Sequence, residues 1–184
     1  APADGYTLMF TIATTMIMNR VLFKSLPYDA DNDFVLISSM SAGQLPFVAS
    51  KETGATTLAE FVAYARKNKV SIGTYAAGSY AHIAVAELNK HFGLNMEAVH
   101  YRGEGPMWQD MTAGVIQGAN GSYAAASNVL QSGAGRPIAV PGNTRMSKLP
   151  DVATFAEQGV TSRAFLLKGF IGLVGPTGMQ QDAV

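Results

Sequence analysis

The chain has no cysteine, little charge and a single tryptophan. Without Cys, disulfides, thiolate catalysis and Cys-ligated zinc are excluded. Only 14% of its 184 residues are charged, and 13 Lys and Arg balance 13 Asp and Glu. That balance leaves no field to hold nucleic acid or an anionic membrane. Long apolar runs are missing too. The most apolar window, Tyr6 to Met18, is broken by Thr7, Thr11, Thr14 and Thr15 and is too short to span a bilayer.

What the chain does have is 48% hydrophobic residues, enough for a folded core and against disorder. Strand-like and helix-like segments alternate throughout, as in a doubly wound α/β fold with parallel strands. Strands are expected at Tyr6–Phe10, Phe34–Met40, Pro46–Ser50, Val70–Gly73, Val99–Tyr101, Val115–Ala119, Pro137–Val140 and Phe170–Val174. Thr57-Leu58-Ala59-Glu60 has capping-box spacing and opens a helix with Leu58, Phe61, Val62 and Ala65 on one face. A helix over Ala81–Phe92 ends at Gly93, where a left-handed cap is wanted. Helices are also expected through Met16–Phe23, over Gly105–Ala113 and from Asp151 to Gln158. Both ends look cut. The chain opens at Ala1-Pro2 without an initiator Met and stops at Gln180–Val184, where a helix would start.

The stretch from Val70 to His82 is the most telling. A short apolar strand runs into a Gly/Ser/Thr loop and then a helix, which directs backbone N–H groups toward one crevice at the positive end of a helix dipole. Such a loop can hold a small anion without a cationic side chain. Three other loops sit in the same strand-to-helix position: Thr11–Thr15, Tyr101–Pro106 and Asn120–Ser122. They offer neutral donors to a carboxylate or phosphate, with Tyr75, Tyr80 and Tyr101 as walls or hydroxyl donors. Gly and Ser at these junctions also serve ordinary turn and cap chemistry, but four such loops in one chain tilt the reading toward binding.

Signatures of catalysis are missing. Gly73-x-x-x-x-Gly78-Ser79 lacks the Lys of a phosphate loop, and no Gly-x-Gly-x-x-Gly follows a strand. The three histidines, His82, His91 and His100, have no metalloprotease spacing, and no Gly-x-Ser-x-Gly elbow anchors a hydrolase. No catalytic residue, metal or cofactor is therefore expected. Arg102 and Glu104 are the only charges in the four loops. Arg102 has the chemistry to grip a carboxylate, though a surface salt bridge is the plainer reading.

Ala3-Asp4-Gly5-Tyr6-Thr7-Leu8, Leu26-Pro27-Tyr28-Asp29, Tyr101-Arg102-Gly103-Glu104-Gly105-Pro106, Leu149-Pro150-Asp151-Val152, Ala156-Glu157-Gln158-Gly159-Val160 and Gly172-Leu173-Val174-Gly175-Pro176 follow one another in order. With this set the chain resembles the Bug family, the periplasmic solute-binding receptors of tripartite tricarboxylate transporters. The resemblance covers nearly the whole chain. It implies a two-lobed periplasmic-binding-protein (type II) α/β fold with doubly wound, mostly parallel sheets, truncated at both ends and closing like a Venus flytrap. Residues 1–44 with 169–184 would form an incomplete lobe one, and 45–168 lobe two.

The resemblance also implies a non-enzymatic, periplasmic receptor that delivers a small carboxylate to membrane transporter subunits. The implied ligand-binding positions are Thr11, Ala13, Thr14, Thr15, Ala77, Gly78, Ser79, Ala81, Asn120, Gly121 and Ser122. Two alternatives stand beside it. One is an α/β enzyme acting on a small organic acid with His82 or Glu104 as base. The other is a truncated receptor without ligand, whose sheet edge pairs with another copy.

Overall fold

A computed structural model of the chain describes residues 1–179. In chain order its elements are β1 (Met9–Ile12), α1 (Asn19–Leu22), β2 (Phe34–Ser41), β3 (Phe47–Ser50), α2 (Leu58–Ala65), β4 (Ser71–Thr74) and α3 (Tyr80–Phe92). They continue with β5 (Glu97–His100), α4 (Glu104–Thr112), β6 (Gly118–Asn120), α5 (Ser127–Gln131), β7 (Gly135–Ala139) and β8 (Phe170–Pro176). A π-helical turn over Thr14–Met18 precedes α1. The helix start expected over Gln180–Val184 lies outside the described residues.

The chain divides into two compact units, one of Ala1–Gly43 with the segment from Lys168 onward, the other Gln44–Leu167. In the first, β8 lies between β1 and β2 and is antiparallel to both. In the second, five strands run in the order β5-β4-β6-β3-β7. There β4 is parallel to β5 and β6, while β3 is antiparallel to β6 and β7.

The larger sheet is thus mostly parallel, as expected, with β5, β4, β6 and β7 running one way and β3 alone reversed, whereas the three-stranded sheet is antiparallel. The crossovers through α3 and α4 return the chain to the same end of the sheet, so β4, β5 and β6 run parallel. The reversed strand is β3, where the chain enters this unit, and it sits between β6 and β7. The first unit's strands pair without such crossovers, and its sheet is antiparallel throughout.

Helices cover both faces of the five-stranded sheet. Leu58, Phe61 and Val62 of α2 and Ala84, Val85 and Leu88 of α3 pack with Phe47, Ala49 and Ile72 on one side. Met107, Trp108 and Met111 of α4 and Val129 of α5 pack with Val48 and Ala119 on the other. Alternating β3 residues therefore serve opposite cores, and all four are buried.

The local signals of the sequence are in place. Thr57 accepts from the Glu60 amide while Glu60 reaches back to the Thr57 amide, a complete capping box. Gly93 ends α3 at φ 62°, in the left-handed region that only Gly adopts freely. The helix expected from Asp151 to Gln158 does not form. Thr154 instead bridges to Val140, with the Val140 amide bonded to the Ala153 carbonyl and the Phe155 amide to the Val140 carbonyl. Only a single turn follows, closed by the Gln158 amide on the Thr154 carbonyl and ended by Gly159 at φ 86°. Among the described residues no helix is long and apolar enough to cross a membrane.

Candidate functional site

Parallel β5, β4 and β6 are neighbours, so the loops at their carboxyl ends lie side by side. Backbone bonds stitch two of them together. The Tyr101 amide donates to the Thr74 carbonyl at 2.8 Å and the Gly103 amide to the Tyr75 carbonyl at 3.1 Å. The third loop follows Asn120 at the end of β6. Seven of the sequence-predicted residues, Ala77, Gly78, Ser79, Ala81, Asn120, Gly121 and Ser122, come together on these loops. Thr11, Ala13, Thr14 and Thr15 belong to the other unit.

The donors of the Tyr75–Ala81 loop are only partly free. Gly78 takes φ 70° and gives its amide to Nδ1 of His82 at 3.0 Å. Ser79 is the N-cap of α3, its hydroxyl accepting from the His82 amide at 3.4 Å. The His82 ring meets that of His100 edge-on at 4.5 Å, and Nδ1 of His100 lies 2.6 Å from the Thr74 hydroxyl. Burial, reinforced by His100, lowers the His82 pKa below the ordinary histidine value. An Nδ1 that accepts from a backbone amide is lone-pair bearing, so His82 is a structural imidazole that shapes the loop and is not placed as a base.

The Ala81 amide has no acceptor among the described residues and sits in the first turn of α3. The Tyr75 hydroxyl lies close by. Burial, with the Glu104 charge second, pushes Tyr75 up to about 12, while Ser79 and the Tyr80 amide oppose the shift. The Tyr80 hydroxyl is buried without a partner among the described residues, and burial drives its pKa well upward.

From the sequence Glu104 is a loop charge and a candidate base of the alternative enzyme reading. It is instead the hub of the third loop. Its Oε2 accepts from the Ser122 amide at 2.8 Å, the Ser122 hydroxyl at 3.0 Å and Nε1 of Trp108 at 3.2 Å. Gly121 makes room for it, because a Cβ there would stand 2.7 Å from that oxygen. Ser122 is thus not a free donor, since its amide and hydroxyl already serve a carboxylate from the chain itself. Three bonds on one oxygen also leave Glu104 poorly suited to act as a base. The Tyr101 hydroxyl is committed as well, donating to Asp110 at 2.6 Å. Burial and then that carboxylate push Tyr101 up to about 12.

Asn120 is fully buried. Its amide nitrogen donates to the Leu45 carbonyl at 3.4 Å, and its Oδ1 has no partner among the described residues. A buried acceptor left open costs free energy unless a water or ligand fills it. In the first unit the expected loop is shorter than the sequence implied. Thr11 and Ile12 belong to β1, and Thr14 and Thr15 begin the π-helical turn. Thr11 is buried with its hydroxyl unpartnered among the described residues, and the Thr15 carbonyl accepts from the Tyr28 hydroxyl at 2.7 Å. No group of three or more His, Asp or Glu able to hold a metal occurs among the described residues.

Residues 1–184 match the model of TctC, the tripartite tricarboxylate transporter family receptor. The chain belongs to this family. It is 27% identical over 179 residues to protein BugT of Bordetella pertussis, covering 96% of this chain and 54% of that protein. It therefore spans about half the length of that curated relative. Among solved structures it superposes on R. palustris Rpa4515 with adipate at a TM-score of 0.91 and 26% identity, covering all of this chain and 61% of the other. It also matches MatC of Rhodopseudomonas palustris with bound malate at a TM-score of 0.86 and 24% identity, with 62% of that chain covered. The fold is accordingly the α/β periplasmic-binding-protein fold, shared with the periplasmic binding protein BugD at a TM-score of 0.90 and 22% identity, and the family is one of transporter receptors.

Proposed function

We propose that the protein is a periplasmic receptor that binds a small carboxylate and hands it to the membrane subunits of a tripartite transporter. The observation that carries the reading is the row of adjacent loops at the carboxyl ends of β5, β4 and β6. The amino end of α3 lies there, with a buried Ala81 amide that has no acceptor among the described residues. A carboxylate fits this end because aligned N–H groups and the helix dipole both favour negative charge. The buried, unpartnered Asn120 Oδ1 supplies an acceptor for a ligand hydroxyl or an ordered water. Membership in the receptor family and the likeness to a protein holding adipate support the same ligand class. Ala77, Gly78, Ser79, Ala81, Asn120, Gly121 and Ser122 form the site in this unit; Thr11, Ala13, Thr14 and Thr15 are separate ligand-binding positions proposed for the first unit. In the larger unit's site Gly78, Ser79 and Ser122 shape the loops, and Ala81 and Asn120 touch the ligand.

Isothermal titration against mono-, di- and tricarboxylates tests the proposal. Micromolar binding of at least one, about 8 kcal/mol, is the expected result. Absence of heat with every member of the panel refutes it.

A further inference from the structure

We propose that Glu104 sets the charge selectivity of the carboxylate site, disfavouring a ligand that carries a second negative charge. The inference rests on the receptor reading above. Its basis is where the Glu104 carboxylate stands. Oε2 is fixed by the Ser122 amide, the Ser122 hydroxyl and the Trp108 indole, three donors that hold it on the loop after β6. The residue itself begins α4, immediately after Gly103, whose amide is bonded to the Tyr75 carbonyl. Glu104 thus ties its own loop to the loop after β6, Gly103 beside it ties that loop to Tyr75, and the Glu104 charge reaches the Tyr75 hydroxyl beside the amino end of α3.

That charge is not neutralised by a cation. The ion pairs among the described residues are Arg20–Asp31 and Arg145–Glu157, and Glu104 takes part in neither. Its three donors are neutral groups. Arg102, the one cation on these loops, is exposed and also in neither pair. A ligand carboxylate held at α3 therefore shares a partly dehydrated site with a fixed anion. A second ligand carboxylate on this row of loops adds like-charge repulsion with that anion. A neutral far end avoids the repulsion.

The test compares adipate with its monoamide, which has the same length and one charge fewer, by calorimetric titration at pH 7. The wild-type protein is expected to bind the monoamide about tenfold more tightly, a difference of about 1.4 kcal/mol. Glu104→Gln should reduce the ratio to below about threefold, and Glu104→Asp, which keeps the charge, should preserve discrimination. Thermal melting and Trp108 emission establish that each variant is folded. If Glu104→Gln does not fold, the wild-type ratio and its retention in Glu104→Asp decide.

Adipate binding as tightly as the monoamide to the wild type overturns the assignment. So does a ratio unchanged in folded Glu104→Gln. A wild-type preference for adipate that disappears in Arg102→Gln overturns it in favour of Arg102. Absence of binding by either ligand, and by the wider carboxylate panel, removes the receptor reading itself and this inference with it.

Discussion

Replacing Gly121 by alanine tests whether the Glu104 hub holds the loop after β6. The new Cβ would lie 2.7 Å from Oε2 of Glu104 and 2.7 Å from Cζ2 of Trp108. A Cβ does not sit that close to either atom, so both neighbours must give way, the freer one by more. Trp108 is 4% exposed and packed against Met107, Met111 and Val129, whereas Glu104 is half-buried on a flexible stem. The carboxylate should yield, giving up its bonds to the Ser122 amide, the Ser122 hydroxyl and the indole. Bonds to a charged group are worth roughly 1.5–3 kcal/mol each when buried. Here they share one oxygen and solvent can replace part of them, so the expected loss is about 2 kcal/mol in total.

Trp108 is the chain's only tryptophan, and it touches the perturbed group. Urea unfolding followed by its emission should show a lower midpoint with an unchanged slope, and the native emission should shift as the indole loses its acceptor. A double-mutant cycle isolates the cause. In a Glu104→Ala background the carboxylate clash is gone, so Gly121→Ala should cost at least about 1 kcal/mol less than in the wild type. The residual cost is the contact with the Trp108 ring. A loss below about 0.5 kcal/mol for Gly121→Ala, or strict additivity with Glu104→Ala, refutes the hub.

Two further outcomes are expected. Thr57→Ala removes the hydroxyl that accepts from the Glu60 amide and should lower stability by about 1 kcal/mol in denaturant titration. His82 has a depressed pKa in the folded protein, so the unfolded chain binds its proton first as pH falls through the ordinary histidine range. Its contribution is therefore present at neutral pH and lost below about pH 6.5. Wild type should lose more stability than His82→Gln between pH 7.5 and 5.5, and equal losses would remove His82 from the account.

The reach of each interaction along the chain decided what could be read from the sequence. The Thr57 capping box and the Gly93 cap are made by residues within a few positions of each other, and both are where the sequence puts them. The direction of β3 depends on partners far along the chain, β6 and β7, and hydrophobic pattern alone does not encode it. The segment after Asp151 shows local signals being outcompeted. Thr154 and Glu157 make reciprocal bonds of the capping-box kind, at 2.7 and 3.0 Å, yet Gly159 stops the chain after one turn and Val140 takes the backbone before it.

The loops of the site divide in the same way. The Gly/Ser character that suggested an anion cradle is real at Ser79, the N-cap of α3. The bonds that decide which donors remain free come from elsewhere. The contact between Glu104 and Trp108, four residues on along α4, was open to a helical reading. The one to Ser122, eighteen residues away, was not. Composition therefore identified a surface rich in neutral donors, while long-range pairing determined which of them stay available to a ligand. A donor-rich loop is evidence of a receptor only after its internal partners have been subtracted, and here that subtraction leaves the amino end of α3 and the buried oxygen of Asn120.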